Sequence, residues 1–247
     1  MKRALLTGAS SGIGAALARE LSRRGYALAL LARRGDLLRE LANELPETVA
    51  IECDVADAAS VKDAVEKAGG VFDLVVANAG VGIHTPAFKF NVADAETMVR
   101  VNILGMIYLF DAVIPKMIER GSGRFAGVAS IAGLRGLPTT SVYSATKAAM
   151  QAFLEASRIE LVPYGVGVTI VNPGFVATPM TQKNRFEMPF LMTAPEAASV
   201  IADGLERGDR VVEFPRPMSL FMRTARLIPD AIFERVVGPY SRKAVKH

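Results

Sequence analysis

A chain of 247 residues with 51% apolar content is long enough to bury one α/β domain, and no Pro/Gly/Ser-rich linker or block of charge divides it. The net charge of +4 is modest and uneven: from Pro215 to His247 seven basic residues stand against Asp230 and Glu234, a basic tail without the aromatic platform that nucleic-acid binding needs. The single Cys53 excludes an internal disulfide, the apolar run after Met1-Lys2-Arg3 is too short for a signal peptide, and the longest uncharged apolar stretch, Ile103 to Phe110, is far below spanning length, so a cytoplasmic protein is expected.

Along the chain, short β-rich apolar runs alternate with longer helical patterns, as in a parallel sheet covered on both faces. The predicted fold class is α/β: a single-domain Rossmann fold with a doubly wound, seven-stranded parallel sheet. Arg3 to Thr7 is the first strand, Ile13 to Arg24 its helix, and Ala27 to Ala32 the second strand. Leu37 to Leu45, Val49 to Cys53, Ala58 to Ala68 and Asp73 to Ala77 continue the alternation. Ala93 to Arg120 reads as one long helix, Gly123 to Ala129 as a strand, Val142 to Val162 as a helix and Val166 to Val171 as a strand. Thr193 to Arg207 and Val211 to Phe214 close the sheet. Residues 1–214 thus form the domain, and 215–247 a basic amphipathic helix pair packed on it and broken at Pro229.

Doubly wound sheets bind ligands beyond the carboxyl ends of their strands. Gly8, Arg33, Asp54, Asn78, Ser130 and Pro173 all fall just after a predicted strand, so one crevice collects them. The turn Thr7-Gly8-Ala9-Ser10-Ser11-Gly12-Ile13-Gly14 lets backbone approach a phosphate at a helix N-terminus, where free N–H groups and the helix dipole favour anions. Arg33 and Arg34 end the second strand, where a carboxylate would bind the ribose hydroxyls of NAD and repel a 2′-phosphate. An arginine fork there suits the phosphate, which favours NADP(H) over NAD(H) and leaves open which arginine binds.

Tyr143 and Lys147 lie one helical turn apart, so an ammonium can sit beside a phenol. A free tyrosine titrates near pH 10, so a phenolate useful near pH 7 needs a shift of about 3 units, roughly 4 kcal/mol. Lys147 is expected to supply much of that shift, with an oxidised, positively charged nicotinamide ring as a second source. The matching chemistry is carbonyl and alcohol interconversion, with hydride moving between cofactor and carbon while Tyr143 exchanges a proton with oxygen. Ser130, a neutral donor, would hold that oxygen.

With Asp54-Val55, Asn78-Ala79-Gly80, Asn102 and Asn172-Pro173-Gly174 with Thr178, these motifs resemble, in order, those of the classical short-chain dehydrogenases/reductases over about the first 215 residues. The glycine spacing is that family's T-G-x-x-x-G-x-G turn, engaging Gly8, Ser10, Ser11, Gly12, Ile13 and Gly14. The resemblance implies that Asp54 and Val55 contact adenine and that Asn78, Ala79 and Gly80 bring backbone to the ribose. It assigns Pro173, Gly174, Val176 and Thr178 to the cofactor site, and gives Lys147 a second role in orienting the ribose. It also implies that Asn102 distorts its helix and holds a water touching Lys147, completing a proton relay. Homodimers or homotetramers packed through the two long helices are expected on the same ground.

His84 is a lone histidine without a spaced carboxylate, Cys53 reads as packing, and no ligand spacing suggests a metal. The pocket walls are expected from the loops Val81 to Phe90, Ile131 to Thr140 and Phe175 to Pro195. The last carries Met180, Phe186, Met188, Phe190, Leu191 and Met192, an adaptable apolar set that suits an uncharged carbonyl or alcohol or, equally, packing against a neighbouring subunit. Three readings stay open for 215–247: a cap over the pocket, a subunit contact and a membrane-surface anchor. The rival from another class is a dinucleotide-sensing protein that keeps the fold without turnover.

Overall fold

The computed structural model describes residues 1–183 and 187–245; Phe186 lies outside them. Seven strands, β1 (Arg3–Thr7), β2 (Ala27–Ala32), β3 (Thr48–Glu52), β4 (Leu74–Ala77), β5 (Gly123–Val128), β6 (Val166–Pro173) and β7 (Val211–Phe214), pair in the order β3-β2-β1-β4-β5-β6-β7. Every pairing is parallel. Successive side chains along a strand point to opposite faces, so the sheet sorts its apolar residues into two cores. Leu5, Val75 and Phe125 face one side, under α3 (Ala58–Lys67), α5 (Gly105–Arg120) and α6 (Ser141–Leu161). Ala4, Leu6, Leu30 and Val76 face the other, under α1 (Gly12–Arg23), α2 (Gly35–Glu44) and α7 (Ala194–Arg207). The order reverses between β1 and β4, which opens a crevice at the carboxyl ends of those strands.

Two departures from the sequence reading bear on the site. First, β6 runs two residues beyond Val171, because β7 offers Asn172 and Pro173 the partners Glu213 and Phe214. Pro173, expected just after the strand, is its last residue. Second, the long helix expected from Ala93 is interrupted: α4 (Val92–Met98) passes into a π-helical stretch, Val99–Leu104, before α5. By length and a mean hydropathy of 1.6 the run Val92–Arg120 would suffice to cross a bilayer. Here Met98, Met106, Leu109, Val113 and Met117 are buried, and α5 packs on α3 and the sheet, as expected of a core helix.

The C-terminal extension forms α8 (Arg216–Ala225) and α9 (Asp230–Val245), separated around Pro229. α8 buries Ser219, Met222 and Ala225 against β7 and the short turn after Ser130. Arg135, in the loop after that turn, reaches across to the junction of the two helices. Its guanidinium donates to the carbonyls of Ala225 and, at 2.9 Å, Ile228, pairs with Asp230 at 2.8 Å and stacks 3.9 Å over the Phe233 ring.

Candidate active site

The glycine turn after β1 is a cradle that side chains would fill. Gly8 and Gly12 hold φ of +65° and +58°, and a Cβ on Gly8 would stand 2.7 Å from the Ala79 Cα, while one on Gly14 would run into the Gly8 carbonyl. Across the crevice the turn is held by the end of β4. Asn78 donates its Nδ2 to the carbonyls of Thr7 (3.0 Å) and Gly8 (3.3 Å), and Thr7 Oγ1 accepts the N–H groups of Asn78 and Ala79, both at 3.1 Å. The Asn78 side chain therefore shapes the turn. Ser11 stands at the N-cap of α1 without a side-chain capping bond, so orphan N–H groups of the first turn open toward the crevice. This is what a pyrophosphate requires.

Arg34 donates to Ser10 Oγ at 2.9 Å and to Ser11 Oγ at 2.6 Å. It is thereby drawn over the turn, whereas Arg33, also exposed, makes no such bond among the described residues. Asp54 spends Oδ1 on the Ala56 N–H at 3.0 Å, the turn role a short acidic side chain commonly takes, and its backbone N–H donates to Ser60 Oγ at 3.1 Å. Arg33, Asp54, Val55, Ser130, Tyr143, Lys147, Pro173, Gly174, Val176 and Thr178 line a cavity of about 880 Å³, with Thr178 set against Gly12 of the turn. Gly8, Ser10, Ser11, Gly12, Ile13, Gly14, Arg34, Asn78, Ala79 and Gly80 lie on its wall as well. Asn102 alone of the expected site residues does not reach it.

Ser130 caps the turn Ile131–Gly133: its Oγ accepts the Ala132 N–H at 3.1 Å and lies 3.4 Å from the Pro173 carbonyl. Ser130 lies close enough to act on the Tyr143 phenol, lowering its titration, and Lys147 Nζ lies 5.7 Å from the Tyr143 ring centroid, so the three groups share one corner. Burial sets both titrations. It pulls the Lys147 ammonium down to about 8, and it pushes the Tyr143 phenol above its ordinary value despite the opposing effect of Ser130. The sequence led us to expect the lowering from Lys147 together with an oxidised nicotinamide ring; Lys147 alone does not offset the burial of the phenol. The ammonium is aimed at the Val128 carbonyl, 2.8 Å away, and at Met150 Sδ, so desolvation outweighs its attraction for a phenolate.

Asn102 is fully buried inside the π-helical stretch, where the distortion was expected. Its Oδ1 accepts the Val81 N–H at 2.8 Å, and its Nδ2 donates to the Val81 carbonyl at 2.9 Å and to Thr146 Oγ1 at 3.1 Å. The side chain braces the loop after β4 against α6 next to Lys147. On the substrate side, a Cβ on Gly82 would meet Met180 Sδ at 3.3 Å and the Tyr143 ring at 3.5 Å. Of the apolar set in the loop after β6, Met180 lines the cavity, Phe190 and Leu191 are exposed, and Met192 packs toward the core through its bridge to Val176. His84 is exposed and Cys53 is a buried free thiol.

Two polar residues of this region escaped the sequence reading. Gln151 donates its Nε2 to the Ser130 carbonyl at 2.8 Å and to Asn172 Oδ1 at 2.9 Å, and Glu213 accepts from Asn172 Nδ2 at 3.0 Å. Gln151 stands one helical turn beyond Lys147 on the same face, a spacing that was open to notice; Glu213 gives no local signal.

The family model for short chain dehydrogenases matches residues 2–188. An uncharacterized oxidoreductase of Myxococcus xanthus (strain DK1622) is 39% identical over 240 residues, covering 94% of this chain and 95% of that protein. The ketoacyl reductase HetN of Nostoc sp. (strain PCC 7120) is 34% identical over 198 residues, covering 77% of this chain and 69% of that protein. Among solved structures, an alcohol dehydrogenase from the archaeon Thermococcus sibiricus, complexed with 5-hydroxy-NADP, superposes with a TM-score of 0.77 at 34% identity, covering 87% of this chain and 95% of that one. The chain belongs to the classical short-chain dehydrogenase/reductase family, and it is an oxidoreductase.

Proposed function

We propose that the protein is an NADP(H)-preferring carbonyl reductase that acts on an uncharged, apolar carbonyl, with Tyr143 as its general acid. The observation that carries this reading is the shared corner of Ser130, Tyr143 and Lys147 in a crevice that is also lined by the glycine turn under Arg34. A bound nicotinamide dinucleotide supplies or accepts the hydride. Ser130 Oγ holds the substrate oxygen, Tyr143 delivers a proton to it, and Lys147 restrains the charge left on the phenol. Asn102 supports the relay of protons to this corner by bracing Val81 against Thr146. The cavity edge formed by Gly82, Ile83 and Met180 favours an apolar substrate.

Neighbours named ketoacyl reductase and alcohol dehydrogenase support the carbonyl and alcohol class. The reading includes a cytoplasmic location, on the ground that the sequence, with its single Cys53, relies on no internal disulfide. Its test is nucleotide consumption across a carbonyl panel with NADPH and with NADH. Arg34→Ala should lower kcat/KM with NADPH about tenfold or more and leave NADH use nearly unchanged, as expected when a charged hydrogen-bonding fork is lost. Equal losses with both nucleotides would remove the NADP(H) preference from the reading. Tight nucleotide binding without turnover of any carbonyl would instead favour the sensing protein.

A further inference from the structure

We propose that helix α8 sets the position of Ser130 through a continuous line of hydrogen bonds, which makes Gln151 and Glu213 positioning residues for the reaction. The inference rests on the reading of Ser130 as the group that holds the reacting oxygen. The line begins at Arg223 on α8, whose Nε and Nη2 donate to Glu213 Oε2 and Oε1 at 2.8 and 3.1 Å. Glu213 accepts from Asn172, Asn172 accepts from Gln151, and Gln151 donates to the Ser130 carbonyl, every step at 3.0 Å or less.

Three features make this line more than incidental packing. Asn172 is buried and the Glu213 side chain is only 12% exposed, so each needs its partner, and the register Asn172↔Glu213 fixes that partner in the sheet. Both hydrogens of the Gln151 amide are spent, and the Glu213 carboxylate polarises the Asn172 amide, which strengthens the bond that Asn172 Oδ1 accepts from Gln151. Among the described residues the Ser130 carbonyl accepts one other bond, from the Gly133 N–H at 3.0 Å, while its hydroxyl is slung between Ala132 and Pro173. Moving that carbonyl rotates the hydroxyl. α8 is in turn fixed from both sides: Met218 and Pro215 crowd Gly174, and Arg135 holds the carbonyls at its end.

The test compares Arg223→Ala, Arg223→Lys, Glu213→Gln and Gln151→Ala in the full chain. Arg223 lies on the surface, so its removal leaves folding intact. Arg223→Ala and Gln151→Ala should each lower kcat on a carbonyl substrate about tenfold through misplaced Ser130, with nucleotide Kd unchanged, and Arg223→Lys should recover most of the loss. The Arg223→Ala, Gln151→Ala double variant should be no slower than Gln151→Ala alone, since both cut one line. Amide exchange at Ala132 and Gly133 reads the same tie without turnover and should quicken in both variants. Unchanged exchange, multiplying losses in kcat, or a nucleotide Kd that weakens with kcat would overturn the proposal. Quickened exchange in a protein that reduces no carbonyl would sink the reductase reading and keep the tie.

Discussion

Tyr143 carries a phenol whose titration moves upward in the protein, with burial as the cause. A general acid that stays protonated at neutral pH suits the reductive direction, since it must give a proton to the developing alkoxide. The oxidative direction needs the opposite form. The pH profiles of the two directions should therefore cross: carbonyl reduction flat near neutrality and falling in the alkaline range, alcohol oxidation rising with pH through that range. Tyr143→Phe should abolish both by about a thousandfold while nucleotide binding persists. Steady-state kinetics in both directions, with nucleotide fluorescence as the binding control, checks this. Parallel profiles would show that another group transfers the proton.

Arg135 shows how one side chain can govern an element. It satisfies the last carbonyl of α8 and that of Ile228 in the junction, pairs with the first residue of α9 and covers the Phe233 ring, with little exposure of its own. Arg135→Ala should cost about 2 kcal/mol, the order expected for losing charged hydrogen bonds to part-buried groups, read by urea unfolding. Trypsin should also cut faster at Arg226 in the variant. Lysine should not restore either, because it lacks the planar fork that spans three acceptors. A wild-type cleavage rate in Arg135→Ala would mean that the helix pair is held by Met222 and Ala225 alone.

Much of the fold and of the crevice was legible in the sequence because its signals are local. A glycine turn between an apolar strand and a helix, and a Tyr-x-x-x-Lys spacing on one helix, state their own geometry. Asn102 was also legible, as a polar residue in an apolar helical run that must find partners. The roles that escaped depend on pairings between distant segments. Gln151 means little until Asn172 faces it, and Arg135 means little until α8 ends beside it. The upward shift of Tyr143 was hidden for the same reason: desolvation is a property of the whole packed environment, whereas a neighbouring cation can be read from spacing.

Taken as one body, the molecule leaves Val92, Val99, Ile159 and Val162 exposed along α4, the π stretch and the end of α6. These are the long helices through which the family resemblance led us to expect subunits to pack, and the proposal of a dimer or tetramer rests on them.

The stability of the folded chain should carry the mark of its buried lysine. Lys147 gives up its proton near 8 in the folded protein, whereas an unfolded chain holds it to about 10.4. Below the lower value both states are protonated and the cost of burying the ammonium is fully present. Between the two values the unfolded chain binds more protons than the folded one, so stability rises with pH. The whole window is worth about 3 kcal/mol. Tyr143 acts in the opposite sense: its raised phenol stays protonated above about 10, where the unfolded chain ionises, so stability falls again as pH climbs further. In nucleotide-free protein, wild type should therefore gain about 1.5 kcal/mol on Lys147→Met between pH 8 and 9.5, measured by urea unfolding. If the two stabilities ran parallel over that interval, the ammonium would not be desolvated, and the charge arrangement around Tyr143 would need another source.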